Sequence, residues 1–213
     1  DPSNPVEGQI WFNTTNNVVK GLFNDTAGSW STGGALNTGR YGGASAGIQT
    51  AAFFAGGQKA PGLANETELY NGTNWTEVNN INTSRRYFPG VGTTTAGLIF
   101  NGTPPDTGKT ESYNGTNWTE VNDLNTARRG SAGAGTNTAA LGFGGYAPPG
   151  QFKNETELWN GTNWTEVNNL NTGRSYLAGA GTQTAALAFG GSASGNDKNE
   201  TEVWNGTNWT EVN

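Results

Sequence analysis

A nine-residue segment, Asn-Gly-Thr-Asn-Trp-Thr-Glu-Val-Asn, recurs four times along the chain without change. The copies occupy residues 71–79, 114–122, 160–168 and 205–213. Their tryptophans follow one another at intervals of 43, 46 and 45 residues, at Trp75, Trp118, Trp164 and Trp209. Self-similarity at a nearly constant period of this length indicates one supersecondary unit repeated in tandem, in which each unit buries its apolar surface against its neighbours.

Alignment at a shared Leu/Ile-Asn-Thr-x-Arg signature divides most of the chain into four full repeats. They span residues 36–79, 81–122, 124–168 and 170–213. Each repeat contains four stretches typical of short strands: one of small residues, one of apolar residues ending in glycine, one with a Glu and an aromatic residue, and the Trp-Thr-Glu-Val stretch. The Asn-Gly pair between the third and fourth stretches predicts a tight turn, because both residues tolerate positive φ.

Composition and strand spacing together predict the fold class. Glycine accounts for 34 of the 213 residues and the repeats are rich in Asn and Thr, which disfavours long helices. Short, evenly spaced strands specify a sandwich or a propeller, and a period of about 45 residues favours the propeller. Residues 9–14, 18–24 and 29–32 are expected to form three strands of a partial blade within residues 1–34. We therefore predict an all-β, five-bladed β-propeller of four-stranded blades, with an incomplete N-terminal blade and one domain over residues 1–213.

Two features of the repeats bear on how the blades pack. The four recurring tryptophans are expected to occupy equivalent buried positions on the fourth strands. The first strands consist mainly of Gly and Ala, and two explanations remain open. Either inner strands crowd around the axis because the blades are few, or the small residues accommodate bulky aromatic side chains of adjacent blades.

The residue pattern resembles kelch repeats. A glycine pair closes the second strand, an aromatic residue ends the third, a Trp follows about five residues later, and an Arg lies near the start of each repeat. The pairs are Gly56-Gly57, Gly144-Gly145 and Gly190-Gly191, whereas the second repeat has Asn101-Gly102. The aromatic residues are Tyr70, Tyr113, Trp159 and Trp204, and the arginines are Arg40, Arg85, Arg128 and Arg174.

The composition and the regularity of the repeats give a second resemblance. The near-identical copies, rich in Asn, Thr and Gly, look like the kelch-like arrays of marine-phage virion structural proteins. The opening segment, residues 4–13, is similar to a tail-fibre motif. These resemblances imply a kelch-like propeller in a virion or an extracellular setting.

Missing residue types exclude much familiar chemistry. The chain contains no Cys, His or Met, which removes thiolate and imidazole metal ligands, cysteine nucleophiles and Ser-His-Asp arrangements. We therefore expect no metal, no cofactor and no enzymatic activity. A net charge of −6 disfavours nucleic acid, and the lack of a long apolar run disfavours membrane insertion. Because the chain starts at Asp1 and lacks Met, we expect it to be a piece of a longer protein.

Charged residues recur at equivalent positions of the repeats. The third-strand glutamates are Glu68, Glu111, Glu157 and Glu202, and the fourth-strand ones are Glu77, Glu120, Glu166 and Glu211. A glycosidase needs one unsymmetrical pair, so we expect these repeated carboxylates to form a solvated strand face. The arginines at the repeat starts could line an anion site, but we favour a structural role in bonding carbonyls or stacking between blades. Arg86 and Arg129, present in only two repeats, are the less scaffold-like ones.

The repeats differ most in the loops between the second and third strands, at residues 58–65, 103–109, 146–154 and 192–199. In an up-and-down blade these loops emerge on the same face as the connections between blades. Variable loops on an invariant scaffold are typical of a binding surface, although unselected variation would look the same. The candidate ligand-binding residues are Lys59, Pro105, Asp106, Tyr146, Phe152, Asp197 and Lys198.

Three functions remain in competition. The first is a non-enzymatic virion adhesion module that binds a host surface glycan or protein through these loops. The second is a purely structural capsid or tail decoration that docks onto other virion proteins. The third, a carbohydrate-active enzyme, is the least favoured because the carboxylates are symmetric.

Overall fold

The computed structural model describes residues 2–3, 10–15, 18–21 and 31–212. Every regular element in this part of the chain is a β-strand, which confirms the all-β class. The chain divides into two compact units, Asp1–Gly33 and Gly34–Asn213. In the first unit, β1 (Ile10–Asn13) and β2 (Val18–Gly21) pair as an antiparallel hairpin.

The second unit contains four antiparallel sheets of four strands, which we call blades 1 to 4. Blade 1 consists of β3 (Ala44–Ile48), β4 (Ala51–Gln58), β5 (Leu63–Tyr70) and β6 (Trp75–Val78). Blade 2 consists of β7 (Gly90–Gly92), β8 (Gly97–Phe100), β9 (Thr110–Tyr113) and β10 (Trp118–Val121). In each blade the strands pair in chain order.

The last two blades carry an additional short hairpin between their second and third strands. Blade 3 begins with β11 (Ala132–Gly135) and β12 (Ala140–Phe143), continues through the hairpin of β13 (Tyr146–Ala147) and β14 (Gln151–Phe152), and ends with β15 (Thr156–Trp159) and β16 (Trp164–Val167). Blade 4 begins with β17 (Ala178–Gly181) and β18 (Ala186–Phe189), continues through β19 (Ser192–Ala193) and β20 (Asn196–Asp197), and ends with β21 (Thr201–Trp204) and β22 (Trp209–Val212).

The first strands of the four blades lie around one centre. Strands β3, β7, β11 and β17 contact one another in this order. A cavity of about 210 Å³ at the centre is lined from all four blades, by residues that include Ser45, Gly90, Gly133 and Gly179. The second unit is therefore a β-propeller-like arrangement of four blades.

Tight turns join the third and fourth strands, as the Asn-Gly pairs predict. The Asn71 side-chain oxygen accepts hydrogen bonds from the backbone nitrogens of Thr73 and Asn74, at 3.0 and 2.9 Å. Gly72 has a φ of 93°, in the left-handed region that favours glycine. The same pair of hydrogen bonds recurs at Asn114, Asn160 and Asn205. The turn is thus set by local chemistry and is identical in each blade.

A buried Asn-Arg-Glu cluster fastens the segment before each blade to the third strand of that blade. In blade 3, the backbone and side-chain nitrogens of Asn125 each donate to Glu157 Oε2 at 2.8 Å, and Arg128 donates to Glu157 Oε1 at 2.8 Å. The equivalent clusters are Asn37, Arg40 and Glu68, then Asn82, Arg85 and Glu111, and finally Asn171, Arg174 and Glu202. These charge-assisted hydrogen bonds compensate the cost of burying the charges.

The prediction that the third-strand glutamates face solvent is wrong. They are at most 1% exposed, because the Asn and Arg side chains of the segment before each blade lie over the third strand and bond both carboxylate oxygens. The fourth-strand glutamates are exposed, as predicted. The structural role of the repeat-start arginines is confirmed, since Arg40 also donates to the carbonyls of Thr38 and Gly56.

Consecutive blades pack through a phenylalanine and a tryptophan. We call the side of a blade turned toward the next blade its forward face, and the opposite side its backward face. The ring pairs that join them are Phe53 with Trp118, Phe100 with Trp164 and Phe143 with Trp209, at centroid distances of 5.7, 4.8 and 4.9 Å. Each of these tryptophans also donates from Nε1, at 3.0 Å, to a buried threonine of the preceding blade, namely Thr67, Thr110 or Thr156.

Glycines of the inner strands make room for these phenylalanine rings. A Cβ at Gly133 would lie 2.8 Å from the Phe100 ring, and one at Gly179 would lie 2.8 Å from the Phe143 ring. Both distances are shorter than any Cβ tolerates without a shift of its surroundings. A Cβ at Gly179 would lie equally close, at 2.8 Å, to the carbonyl oxygen of Gly133 on the neighbouring inner strand. The structure therefore supports both explanations left open by the sequence, the crowding of inner strands and the accommodation of aromatic rings.

The prediction of five blades is wrong, because the part of the chain that the structure describes forms four. Strands β1 and β2 coincide with parts of two predicted strands, 9–14 and 18–24, and form a two-stranded hairpin. Most of the third predicted strand, 29–32, lies outside the described residues, as do 22–24. The physical reason is in the sequence: the first arginine of the chain is Arg40, so residues 1–34 lack the side chain that fastens every blade.

The prediction of four equivalent buried tryptophans is correct for three of them. Trp118, Trp164 and Trp209 are 5–6% exposed. Trp75 is only partly buried, since within Gly34–Asn213 no blade precedes blade 1. The tryptophan is therefore buried by the preceding blade and not by its own sheet.

Candidate binding site on the loop face

Backbone bridges place the variable loops and the connections between blades on one side of the propeller, which we call the loop face. The residue after each repeat-start arginine pairs with the residue after the closing Gly-Gly or Asn-Gly pair. These bridges join Tyr41 with Gln58, Arg86 with Thr103, Arg129 with Tyr146 and Ser175 with Ser192. The loops that differ between repeats thus begin beside the innermost connections.

In each connection between blades, the residue that follows the bridged residue has a left-handed backbone conformation. This position is occupied by glycine in two blades and by tyrosine in the other two, with φ values of 67° at Gly42, 59° at Tyr87, 62° at Gly130 and 55° at Tyr176. Backbone hydrogen bonds link these positions from blade to blade, from Tyr87 to Gly42, Gly130 to Tyr87 and Tyr176 to Gly130. A non-glycine residue in this conformation costs about 1–2 kcal/mol. Two tyrosines therefore stand at positions where the backbone conformation favours glycine.

The two strained tyrosines meet near the centre of the loop face. The Tyr87 and Tyr176 rings lie 5.6 Å apart, edge to face, and the Tyr41 ring lies 6.5 Å from Tyr87. Tyr41 and Tyr176 are 57% and 56% exposed, among the most exposed large side chains described. Open aromatic faces of this kind stack on apolar faces of ligands, including sugar rings.

Two arginines, found only in blades 2 and 3, border the tyrosines. The Arg86 guanidinium lies 4.9 Å from the centre of the Tyr87 ring, and its Nη1 donates to the Gln58 side chain at 2.7 Å. Among the described residues no carboxylate pairs with Arg86, and its buried Nε has no hydrogen-bond partner. Arg86 therefore retains an uncompensated positive charge beside an aromatic face.

Arg129 is held by the loops of two blades. It donates to both carboxylate oxygens of Asp106, at 2.7 and 2.9 Å, and its guanidinium lies 4.6 Å from the centre of the Tyr146 ring. The hydrogen bond that Arg129 donates to Asp106 raises the pKa of the Arg129 guanidinium above its usual range. Tyr146 in turn contacts the Phe152 ring at 5.5 Å. A row of contacting side chains therefore extends from Arg129 through Tyr146 to Phe152, in the variable loop of blade 3.

The structure brings together some of the predicted site residues. Asp106 and Tyr146 contact Arg129, Phe152 packs on Tyr146, and Pro105 is exposed beside Asp106. Lys59 forms an ion pair with Glu66 and lines a surface cavity of about 320 Å³ with Tyr41 and Gln58.

The remaining two predicted residues lie in blade 4, at and just after the end of its short hairpin. Lys198 pairs with Glu200 at 3.4 Å, and Asp197 is an exposed residue of β20. The sequence prediction missed Tyr41, Tyr87 and Tyr176. The signal that could have found two of them is a tyrosine at the aligned position where Gly42 and Gly130 stand in the other repeats.

The described residues contain no group of three or more acidic, His or Cys side chains that could hold a metal ion. In the same residues no helix is long and apolar enough to cross a membrane. A scan against protein-family models and a search of curated proteins both find no match for this chain. Function is therefore inferred from the geometry of the loop face.

Proposed function

We propose that this chain is a non-enzymatic binding module that holds a glycan on the loop face. The observation that supports this most is the pair Tyr87 and Tyr176, whose backbones are strained at positions where glycine would be unstrained. Strain of this kind is retained where the side chain is needed. The Tyr176 ring lies beside Gly130 and Tyr87, and more than half of its surface is open to a ligand.

Arg86 suggests which glycans fit. A planar guanidinium beside an aromatic ring suits a sugar whose hydroxyl or carboxylate groups lie at the edge of a stacked ring. Since the Arg86 guanidinium bonds the neutral Gln58 amide and no carboxylate among the described residues, its charge favours acidic glycans over neutral ones. Asp106 neutralises Arg129 and leaves that residue to position Tyr146.

The proposed virion or extracellular role is inferred from the sequence. The resemblance to kelch-like virion arrays and to a tail-fibre motif supports a virion or extracellular adhesion role, in which the ligand belongs to a host surface. A kelch-type origin of the repeats fits the four-stranded blades and the glycine pairs, of which Gly144 and Gly145 both have positive φ. Immunogold labelling of phage particles would test this part: no label on particle surfaces would contradict it.

A second candidate is a structural decoration protein of a capsid or tail. One observation favours it: the forward face of blade 4 exposes Leu187 and Phe189, each 40% accessible. An apolar face of this kind fits docking onto another protein. In that case the tyrosines would have no glycan ligand.

A glycan array that includes neutral and acidic sugars distinguishes the two candidates. We expect the wild-type chain to bind acidic glycans, and Tyr176→Gly to weaken that binding about tenfold, which corresponds to about 1.4 kcal/mol. Thr116→Ala, in an exposed turn between third and fourth strands, is the matched control and should bind normally. Absence of glycan binding by the wild-type chain would contradict the proposed function and favour the decoration role.

A further inference from the structure

The junctions of blade 2 with blade 3 and of blade 3 with blade 4 define what a forward face requires of its neighbour. Phe100 packs against blade 3, where Gly133, Gly142 and Trp164 lie around its ring. Phe143 packs in the same way against Gly179 and Trp209 of blade 4. A forward-face phenylalanine at this position therefore takes a blade that combines a fourth-strand tryptophan with glycine on the inner strand.

The forward face of blade 4 has the same chemistry, and within Gly34–Asn213 it has no such neighbour. Leu187 and Phe189 are each 40% exposed, whereas their counterparts are fully buried, namely Leu98, Phe100, Leu141 and Phe143. Thr201 is partly exposed, whereas the threonines that accept a tryptophan hydrogen bond are fully buried, namely Thr67, Thr110 and Thr156. The indole nitrogens of Trp118, Trp164 and Trp209 donate to those three threonines and not to Thr201.

Blade 1 does not match this face. Ser45 of blade 1 stands where Gly133 and Gly179 stand in blades 3 and 4, and Phe54 stands where Gly142 and Ala188 stand. A side chain at the inner-strand position would meet the phenylalanine ring, since even a Cβ there approaches to 2.8 Å. Blade 1 of the same chain or of a second copy is therefore a poor neighbour for Phe189. Such a mismatch also discourages head-to-tail assembly of identical chains.

We propose that the forward face of blade 4 is a docking surface for one additional blade of this repeat type, supplied from outside Gly34–Asn213. The occupant carries a fourth-strand tryptophan, whose ring packs on Phe189 and whose Nε1 donates to Thr201. It carries glycine at the position of Gly179 and a small residue at the position of Ala188. The contact continues the three existing junctions and adds a neighbour to the four blades of the chain.

The test extends the full chain after Asn213 with a second copy of residues 169–213, which supplies Trp209, Gly179 and Ala188 at the required positions. Tethering the blade raises its effective concentration at the docking surface. We expect the extension to raise the melting temperature and to slow hydrogen exchange of the β21 amides. Extensions in which the copied Trp209 is replaced by alanine, or the copied Gly179 by serine, should lose both effects. Equal protection by all three extensions would overturn the proposal.

Two further measurements keep the result independent of whether one variant folds. Phe189→Ala should lower the melting temperature of the extended chain more than that of the original chain, whereas Phe143→Ala should lower both equally. Equal effects of Phe189→Ala on the two chains would overturn the proposal. Light scattering should give the original chain a molecular mass that does not change with protein concentration. Assembly that Trp75→Ala abolishes would instead identify a second copy as the occupant and would also overturn it.

Discussion

Trp118 of blade 2 donates a 3.0 Å hydrogen bond from Nε1 to Thr67 Oγ1 of blade 1, although 51 residues separate the two in sequence. Both side chains are buried, with Trp118 5% and Thr67 0% exposed. The bond therefore satisfies two polar groups that would otherwise be buried without a partner. Because the same contact recurs at every junction, the propeller is held together by neighbour-to-neighbour interactions, as in other repeat proteins.

This arrangement predicts unequal costs for identical substitutions. Trp118→Ala removes a buried ring and leaves Thr67 without its donor, so the free energy of unfolding should fall by about 3–5 kcal/mol. Trp75→Ala removes a partly exposed ring and should cost on the order of 1–2 kcal/mol. Chemical denaturation of both variants measures the difference. Equal losses would contradict the claim that the preceding blade buries the tryptophan.

The buried ion pairs predict a second contrast within one repeat. Glu157→Gln leaves the fully buried Arg128 without a counter-charge, so the free energy of unfolding should fall by about 3–5 kcal/mol. Glu166→Gln makes the same chemical change at an exposed position of the fourth strand and should stay within about 0.5 kcal/mol of wild type. Thermal or urea unfolding provides the measurement. A neutral result for Glu157→Gln would show that the cluster does not fasten the blade.

The cluster of blade 1 predicts a dependence on pH. Burial raises the pKa of Glu68, but hydrogen bonds from Asn37 and Arg40 outweigh that effect and hold the pKa below its ordinary value of 4.5. A lowered folded-state pKa means that the ionised carboxylate stabilises the fold above pH 4.5, and that this stabilisation is lost as the pH falls below it. The difference in unfolding free energy between wild type and Glu68→Gln should therefore shrink on acidification. A difference that stays constant down to about pH 2 would contradict this prediction.

The strained tyrosines predict a gain in stability together with a loss of binding. Tyr176→Gly relieves a left-handed backbone and removes a mostly exposed ring, so the free energy of unfolding should rise by about 1 kcal/mol. Gly130→Ala, at the equivalent position of blade 3, should lower it by about 1 kcal/mol, because alanine does not favour this conformation. Calorimetry measures both changes. A destabilising Tyr176→Gly would mean that the tyrosine is a packing residue of the fold.

Much of the loop face was predictable, because Tyr146, Phe152 and Asp106 lie in segments that visibly differ between repeats. Tyr87 and Tyr176 were not predicted, since they lie in the connections and their importance depends on backbone conformation and on a contact between blades 2 and 4. Arg86 and Arg129 were recognised as exceptions to the repeat. Their partners Gln58 and Asp106 lie 28 and 23 residues away in sequence, and only the folded chain brings them together.

The sequence by itself determined the features that depend on neighbouring residues and on the period. These are the all-β class, the four-stranded blades and the Asn-Gly turns, which arise from strand propensity and from side-chain hydrogen bonds that span two or three residues. Tertiary structure alone decided that Trp118 is buried whereas Trp75 is only partly buried, and that Phe189 is exposed whereas Phe143 is buried. Those properties depend on what covers each face of a sheet, and identical repeats differ in this respect because burial is set by the neighbouring blade.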